Sequence, residues 1–403
     1  MGFLVKNARW LGAGAVLAFA SGFGQTFFIS LYASEIRAEF DLSHGAWGGI
    51  YTAGTLLSAA VMLWAGSLVD KFRTPQIATI ILTGLALTCL AMAFNQSVIG
   101  LILVIFGLRF FGQGMLGHTA IVSAGRWFAR NRGRAVSITS LGFSVAEAGL
   151  PILFVALAVW VDWRSSWIIA AIATAIWIFV IRPLARVDRD PKSEAETTVT
   201  TGMGSRHWTR RETISHWLFW LMLPTFLGPP MFSTALFFQQ VHLAETKGWT
   251  LVAFVSLIPV STATSIVMML AAGWLVDRSN SRWIVCVCIL PLAASFVAFG
   301  TGTTLVAAAV AFWLHGMTQG MVTTIGGTFW AEHYGTENLG AIRATAVSVM
   351  VFGSAIGPGI TGVLNDAGYA FEDQMLWISA YLVASAALAT FAILRLNRAD
   401  DSA

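Results

Sequence analysis

Arg109 and Glu147 each fall in the middle of a long apolar run, where an ionised side chain costs several kcal/mol on insertion scales. A guanidinium there offers five N–H donors in a planar fork that fits a carboxylate. A carboxyl group there can take up or release a proton when its surroundings change. Gln113 follows Arg109 by four residues, on the same helix face, and the pair recurs 206 residues later as His315 and Gln319. Gln25, in the first apolar run, adds an amide at similar depth. Two readings compete. In one, Arg109 and Glu147 form an ion pair that joins neighbouring helices, which says little about function because such pairs barely break even. In the other, Arg109, Gln113, Gln25, His315 and Gln319 contact a polar or anionic ligand while Glu147 or His315 carries a proton. His118, closer to a helix end, reads as a structural or gate residue.

The elements that must position these groups follow from composition. Apolar residues are 57% of the 403 and charged residues 11%, so water is not the main solvent. Spanning hydrocarbon takes about 20 mostly apolar residues per helix. The chain parses into twelve such runs, near 10–33, 44–68, 76–95, 98–123, 135–159, 165–185, 214–240, 250–275, 283–300, 304–330, 341–364 and 375–394. Ten-residue segments of alternating polarity are absent, which disfavours an outer-membrane barrel. The expectation is an all-α membrane protein of twelve transmembrane helices in two pseudo-symmetric six-helix bundles. Residues 1–185 form the first bundle, 186–213 a cytoplasmic linker and 214–403 the second bundle. Arg109 then lies roughly 16 Å into its helix and Glu147 roughly 20 Å, at 1.5 Å per residue. In the linker, Thr197 to Ser205 reads as flexible and the Arg-rich stretch after it as a membrane-surface segment. Prolines 151, 229, 230, 259 and 358 mark expected bends.

With the N-terminus inside, every Lys and Arg except Arg37, Arg109, Arg164 and Lys247 falls on a cytoplasmic turn or tail. The positive-inside rule therefore places both ends in the cytoplasm, in a cell membrane of the bacterial inner type. The net charge of +4 reflects that rule and gives no reason to invoke nucleic acid. The N-terminal run has no small-residue cleavage site, so a removable signal is not expected. Cys89, Cys286 and Cys288 lie inside predicted helices and read as inert thiols. No metal-ligand spacing and no phosphate-cradling loop is present, so neither a metal, a cofactor, an enzymatic activity nor ATP-driven work is expected.

The stretch Gly66-Ser-Leu-Val-Asp70-Lys71-Phe-Arg73 returns 207 residues later as Gly273-Trp-Leu-Val-Asp277-Arg278-Ser-Asn-Ser-Arg282. A period of half the chain marks a duplicated domain. Twelve spans in two related halves, with this motif after the second and eighth, resemble the major facilitator superfamily over essentially the whole chain. The resemblance implies that Asp70, Lys71 and Arg73, and Asp277, Arg278 and Arg282, form a cytoplasmic gate that latches the outward-facing form. Arg109 with Gly112-Gln113-Gly114 is similar to that family's helix 4 arginine motif, its Gln-Gly step shifted by one residue. Arg126-Trp-Phe-Ala-Arg130-Asn-Arg132-Gly133-Arg134, and Tyr334-Gly335 with Gly340, resemble the monocarboxylate and oxalate/formate branch. That branch's helix 8 cation has no counterpart here.

The expected function is a monomeric secondary active transporter of a small, carboxylate-type organic anion, working by alternating access and driven by protons or by exchange. The main alternative is a proton-coupled exporter of hydrophobic or cationic compounds, with Glu147 as the cation site. A membrane sensor without net transport is the alternative from another class.

Overall fold

In hydrocarbon every backbone N–H and C=O must find its partner within the segment, so long apolar runs wind into helices. The computed structural model describes residues 2–128, 132–184, 201–279 and 281–401, all of them helix, turn or loop. Twelve spans follow in order. The first, α1, is a pair of helices, Val5–Gly24 and Thr26–Glu39, bent by 46° at their junction. Then come α2 (His44–Ala65), α3 (Thr74–Phe94), α4 (Val98–Trp127), α5 (Gly133–Leu157) and α6 (Trp163–Leu184). The second set is α7 (Trp217–Phe238), α8 (Leu251–Val276), α9 (Arg282–Thr301), α10 (Leu305–Tyr334), α11 (Ala341–Asp366) and α12 (Phe371–Arg398). Large apolar side chains such as Leu63, Trp64, Phe179 and Val306 stand exposed, as a lipid solvent requires.

The duplication is visible in the helix starts. Ser43 accepts the amide of Ala46 at 3.0 Å to begin α2, and Thr250 accepts that of Ala253 at 3.3 Å to begin α8. Ser97 and Thr304 do the same for α4 and α10. Both pairs are 207 residues apart, and each hydroxyl satisfies an N–H the first turn leaves unpaired.

Two compact units result: Met1–Glu196 with Phe237–His242, and Thr197–Leu236 with Leu243–Ala403. In the first unit, α3 lies on α6, α1 on α5 and α2 on α4; in the second, α9 lies on α12 and α8 on α10. The hexapeptide that completes the first unit is well bonded there. Gln240 Nε2 donates to Phe27 O and Ser30 Oγ, both at 2.9 Å, and Phe238 stacks on Trp47. His44 and His242 bring their rings to 4.4 Å.

Among the expected proline positions, Pro259 adjoins a break, the turn Ser256–Leu257 within α8. Pro224, Pro229 and Pro230 lie inside an unbroken α7, and Pro358 inside α11. The sharp bend is in α1, which has no proline. Ser21–Gly24 tightens into a 3-10 turn and Gln25 is extended, at φ −86° and ψ 156°. A Cβ at Gly24 would meet Leu108 O at 2.1 Å and Gly112 Cα at 2.7 Å. Backbone contact with α4 is therefore what the glycines at 24 and 112 permit.

The described part of the linker is folded against the second unit. Trp208 N–H donates to Tyr334 O at 3.1 Å, its indole N–H donates to Met203 O at 3.1 Å, and Asn338 donates to Trp208 O. Thr209 and Glu212 form a capping box for the short helix Arg210–Ser215. Burial holds the neighbouring His216 below its ordinary 6.5, with the Arg206 cation adding to the shift. A depressed histidine favours the neutral folded form, so docking is complete above about pH 6.5 and weakens as pH falls through the lowered value. Amide exchange across 202–216 should accordingly be faster at pH 5 than at pH 7.5. Trp208→Ala should free the backbone at Arg210 and Arg211, whose side chains are already exposed, for cleavage by trypsin at both pH values; a segment that stays uncut would show that the indole does not hold it.

Candidate functional site

The site is built on two unusual backbones in the first unit. Beside the broken α1, residues Leu108–Leu116 of α4 wind as a π-helix, a form that recurs at functional positions. The two touch where Gly24 meets Gly112, and a Cβ on Gly24 would lie 3.0 Å from Gln113 N. On the other side of the break, a Cβ on Gly22 would lie 2.7 Å from Ala146 Cβ of α5, the residue before Glu147. The geometry thus gathers the segments that carry Gln25, Arg109, Gln113 and Glu147.

Arg109 is 1% exposed. Its Nη1 donates to Thr26 Oγ1 at 3.2 Å and more weakly to Gly24 O at 3.4 Å, a carbonyl released by the break. Its guanidinium carbon stands 5.3 Å from the centre of the Tyr51 ring, and the Tyr51 hydroxyl lies 2.5 Å from Thr26 Oγ1. Nε has no hydrogen-bond partner. Among the described residues the Nε–Nη2 edge makes no bond, and that edge is the one a carboxylate engages with two parallel bonds. Glu147 is half-buried and makes no hydrogen bond or ion pair among the described residues. Arg109 and Glu147 therefore do not form the buried pair that one reading of the sequence expects. The side chains of Gln25 and Gln113 likewise make no bond to described residues.

The second unit repeats the plan with different chemistry. His315 is 1% exposed, its Nδ1 2.8 Å from Ser261 Oγ and its Nε2 3.0 Å from Ser233 Oγ. Gln319 Nε2 donates to Ser233 Oγ at 2.6 Å and lies 3.1 Å from His315 Nε2. A neutral ring with its proton on Nδ1 satisfies all of these, because Nε2 then accepts. A proton on Nε2 would set donor against donor at Gln319. Close backbone approach again frames the group: a Cβ at Gly316 would lie 2.2 Å from Ser261 O.

The sequence reading missed the partners, although the period contains them. Thr26 and Ser233 are 207 residues apart, and each hydroxyl contacts the residue that the 206-residue offset equates, Arg109 or His315. The motif turns show the same relation. In the first unit, Arg126 donates to Val69 O at 3.3 Å and Thr74 Oγ1 at 2.8 Å. In the second, Glu332, 206 residues on, accepts Ser281 N–H at 3.0 Å and Ser281 O–H at 2.5 Å. Repeat-related positions on α4 and α10 thus hold the two turns with opposite charge. Glu332→Gln should loosen the second turn by about 1–3 kcal/mol, read as faster exchange at the start of α9; unchanged exchange would remove Glu332 from that role.

The side chains of Asp70 and Asp277 lie outside the described residues, as does Arg130. Lys71 and Arg73 are exposed, Arg278 stacks 4.0 Å over Trp274, and Arg282 donates to Asn397 Oδ1 at 2.8 Å. His118 Nε2 would stand 3.8 Å from a Cβ at Gly66, which opens the first motif. No three described His, Cys, Asp or Glu side chains converge as metal ligands.

Two six-helix repeats with polar groups beside a broken helix define a membrane transporter of the duplicated-domain class. The chain belongs to the Major Facilitator Superfamily, whose profile matches residues 14–342 and 260–402. It is accordingly a transporter working by alternating access, in a family that is not one of enzymes. A bacterial homologue of the human lysosomal transporter Spinster, inward-facing and unoccupied, is similar in structure with a TM-score of 0.73. Identity is 16%, over 96% of this chain and 97% of that one. The nucleoside transporter NupG gives 0.72 at 15% identity, over 96% and 98%. At such identities these likenesses establish the fold alone. No curated protein matches the sequence.

Proposed function

We propose that this chain is a secondary active transporter of a small organic anion of the carboxylate type, driven by protons or by exchange. The observation that carries the reading is Arg109, buried without a carboxylate partner among the described residues and with its Nε–Nη2 edge unbonded. A cation so placed is costly unless a ligand repays it. Arg109 binds the substrate carboxylate, Gln25 and Gln113 supply amides beside it, and His315 with Gln319 form the matching polar group of the second unit. Glu147 takes up the coupling proton. Asp70, Lys71, Arg73, Asp277, Arg278 and Arg282 form the gate on the side bearing the motif turns. The protein works as a monomer in the bacterial inner membrane, both termini in the cytoplasm.

A second reading draws on Glu147, a half-buried carboxyl with no described cation partner, as the contact for a cationic compound leaving the cell. Flux separates the two. Proteoliposomes offered monocarboxylates, dicarboxylates, amino acids and cationic dyes, with and without a pH gradient, should take up a carboxylate preferentially. Glu147→Gln should abolish the response to the gradient while leaving counterflow. Dye flux that depends on Glu147, with no carboxylate flux, would establish the exporter instead.

A further inference from the structure

A cleft of about 240 Å³ lies wholly within the second unit, between α7, α10 and α11. Gln319 lines one part, and Trp330, eleven residues further along α10, lies roughly 16 Å away along the helix axis. Arg343, in the first turn of α11, lines it too. Pro229 and Pro230 of α7 and Val322 of α10 give it apolar walls, and Thr323 adds a hydroxyl. Arg343 is exposed and makes no hydrogen bond or ion pair among the described residues. No acidic residue lines the cleft. The repeat makes this lining particular to the second unit: the 206-residue offset places Ser137 against Arg343 and Ala124 against Trp330.

We propose that this cleft is a ligand site in its own right, taking a small amphipathic monoanion such as an aryl monocarboxylate. The carboxylate meets the Arg343 fork, the ring lies against Trp330 and the apolar wall, and a distal hydroxyl donates to Thr323 Oγ1. One cation and neutral walls select a single negative charge, because a second carboxylate would be desolvated without a partner. A cation is repelled by Arg343. The volume falls below the range of drug-sized pockets, which limits the ligand to about one ring and its substituents. The proposal stands on the second unit alone and holds whether or not Arg109 binds the transported anion.

Gly326 gives the test. It lines the cleft, and a Cβ there meets nothing within 4 Å, so Gly326→Leu fills the space without displacing the fold. Calorimetric titration of the purified protein with 4-hydroxyphenylacetate should show binding that weakens at least ten-fold in Arg343→Gln and in Gly326→Leu. Arg343→Lys should recover part of the loss. The neutral amide of the same compound should bind at least ten-fold more weakly to the wild type. Binding should survive in Arg109→Gln. The proposal is overturned if the wild type does not bind the probe, if Gly326→Leu binds it normally, or if only Arg109→Gln loses it. A lipid headgroup phosphate would meet Arg343 by the same chemistry. A Kd at least ten-fold higher in phosphatidylglycerol than in phosphatidylcholine nanodiscs would assign Arg343 to the headgroup and overturn the small-anion site.

Discussion

Arg109→Gln is expected to lose at least about 100-fold in affinity for the transported carboxylate and to reduce uptake to background. Hydrogen bonds to charged groups contribute about 1.5–3 kcal/mol each, and the unused edge of the guanidinium offers two of them. At about 1.4 kcal/mol per tenfold, losing both exceeds two orders of magnitude. Arg109→Lys keeps the charge but not the fork, so it should retain weak binding. Thermal stability distinguishes this role from a structural one. A buried cation without a counter-carboxylate is a burden on the fold, so Arg109→Gln should melt at the same temperature as the wild type or higher. A brace would behave in the opposite way. Wild-type transport in Arg109→Gln, or a fall in melting temperature with transport kept, would remove Arg109 from the site.

The largest effect on stability should come from Gly24→Ala. The added methyl would meet Leu108 O at 2.1 Å and Gly112 Cα at 2.7 Å, and neither backbone atom can swing aside as a side-chain tip can. Overpacking costs about 1–3 kcal/mol when side chains can adjust, and this contact belongs at the upper end or beyond. At 2–4 °C per kcal/mol for a unit of this size, the fall should be roughly 6–12 °C. Gly112→Ala should behave alike, since its Cβ would lie 2.5 Å from Gly24 Cα. Gly12, on the same helix with nothing within 4 Å of a Cβ, is the control, and Gly12→Ala should be neutral or stabilising. Equal melting temperatures for the Gly24 and Gly12 variants would show that α1 and α4 are not in contact at the break.

The fold was legible because the membrane imposes coarse rules. Runs near 44–68 and 98–123 became His44–Ala65 and Val98–Trp127, since apolar length alone decides where a helix crosses. The offset of half a chain told where one unit's chemistry has its counterpart in the other. The backbone irregularities were legible only in part: Pro259 marks the break at Ser256–Leu257, but no proline marks the sharpest bend. Prolines suggested bends in α7 and α11, yet both spans run on as continuous helix through them. The sharpest bend, at Gly24 and Gln25, depends on how closely α4 approaches, a tertiary fact that residue types in α1 signal only weakly. Thr26 and Ser233 were passed over for a related reason. A hydroxyl in a membrane helix ordinarily bonds its own preceding turn, as Thr119 and Thr174 do here, so type alone does not separate a contact from filler.

The hexapeptide Phe237–His242, which completes the first unit, has a consequence for biosynthesis. The ribosome finishes the sixth span, at Leu184, 56 residues before it reaches Gln240, which at about 5–20 residues per second is a delay of about 3–11 seconds. During that interval Phe27 and Ser30 lack the amide that later caps them, and Trp47 lacks its stacking partner. The first unit is thus finished late in translation, after the seventh span has been made, and a chain stopped at the linker would leave the ribosome with that unit incomplete.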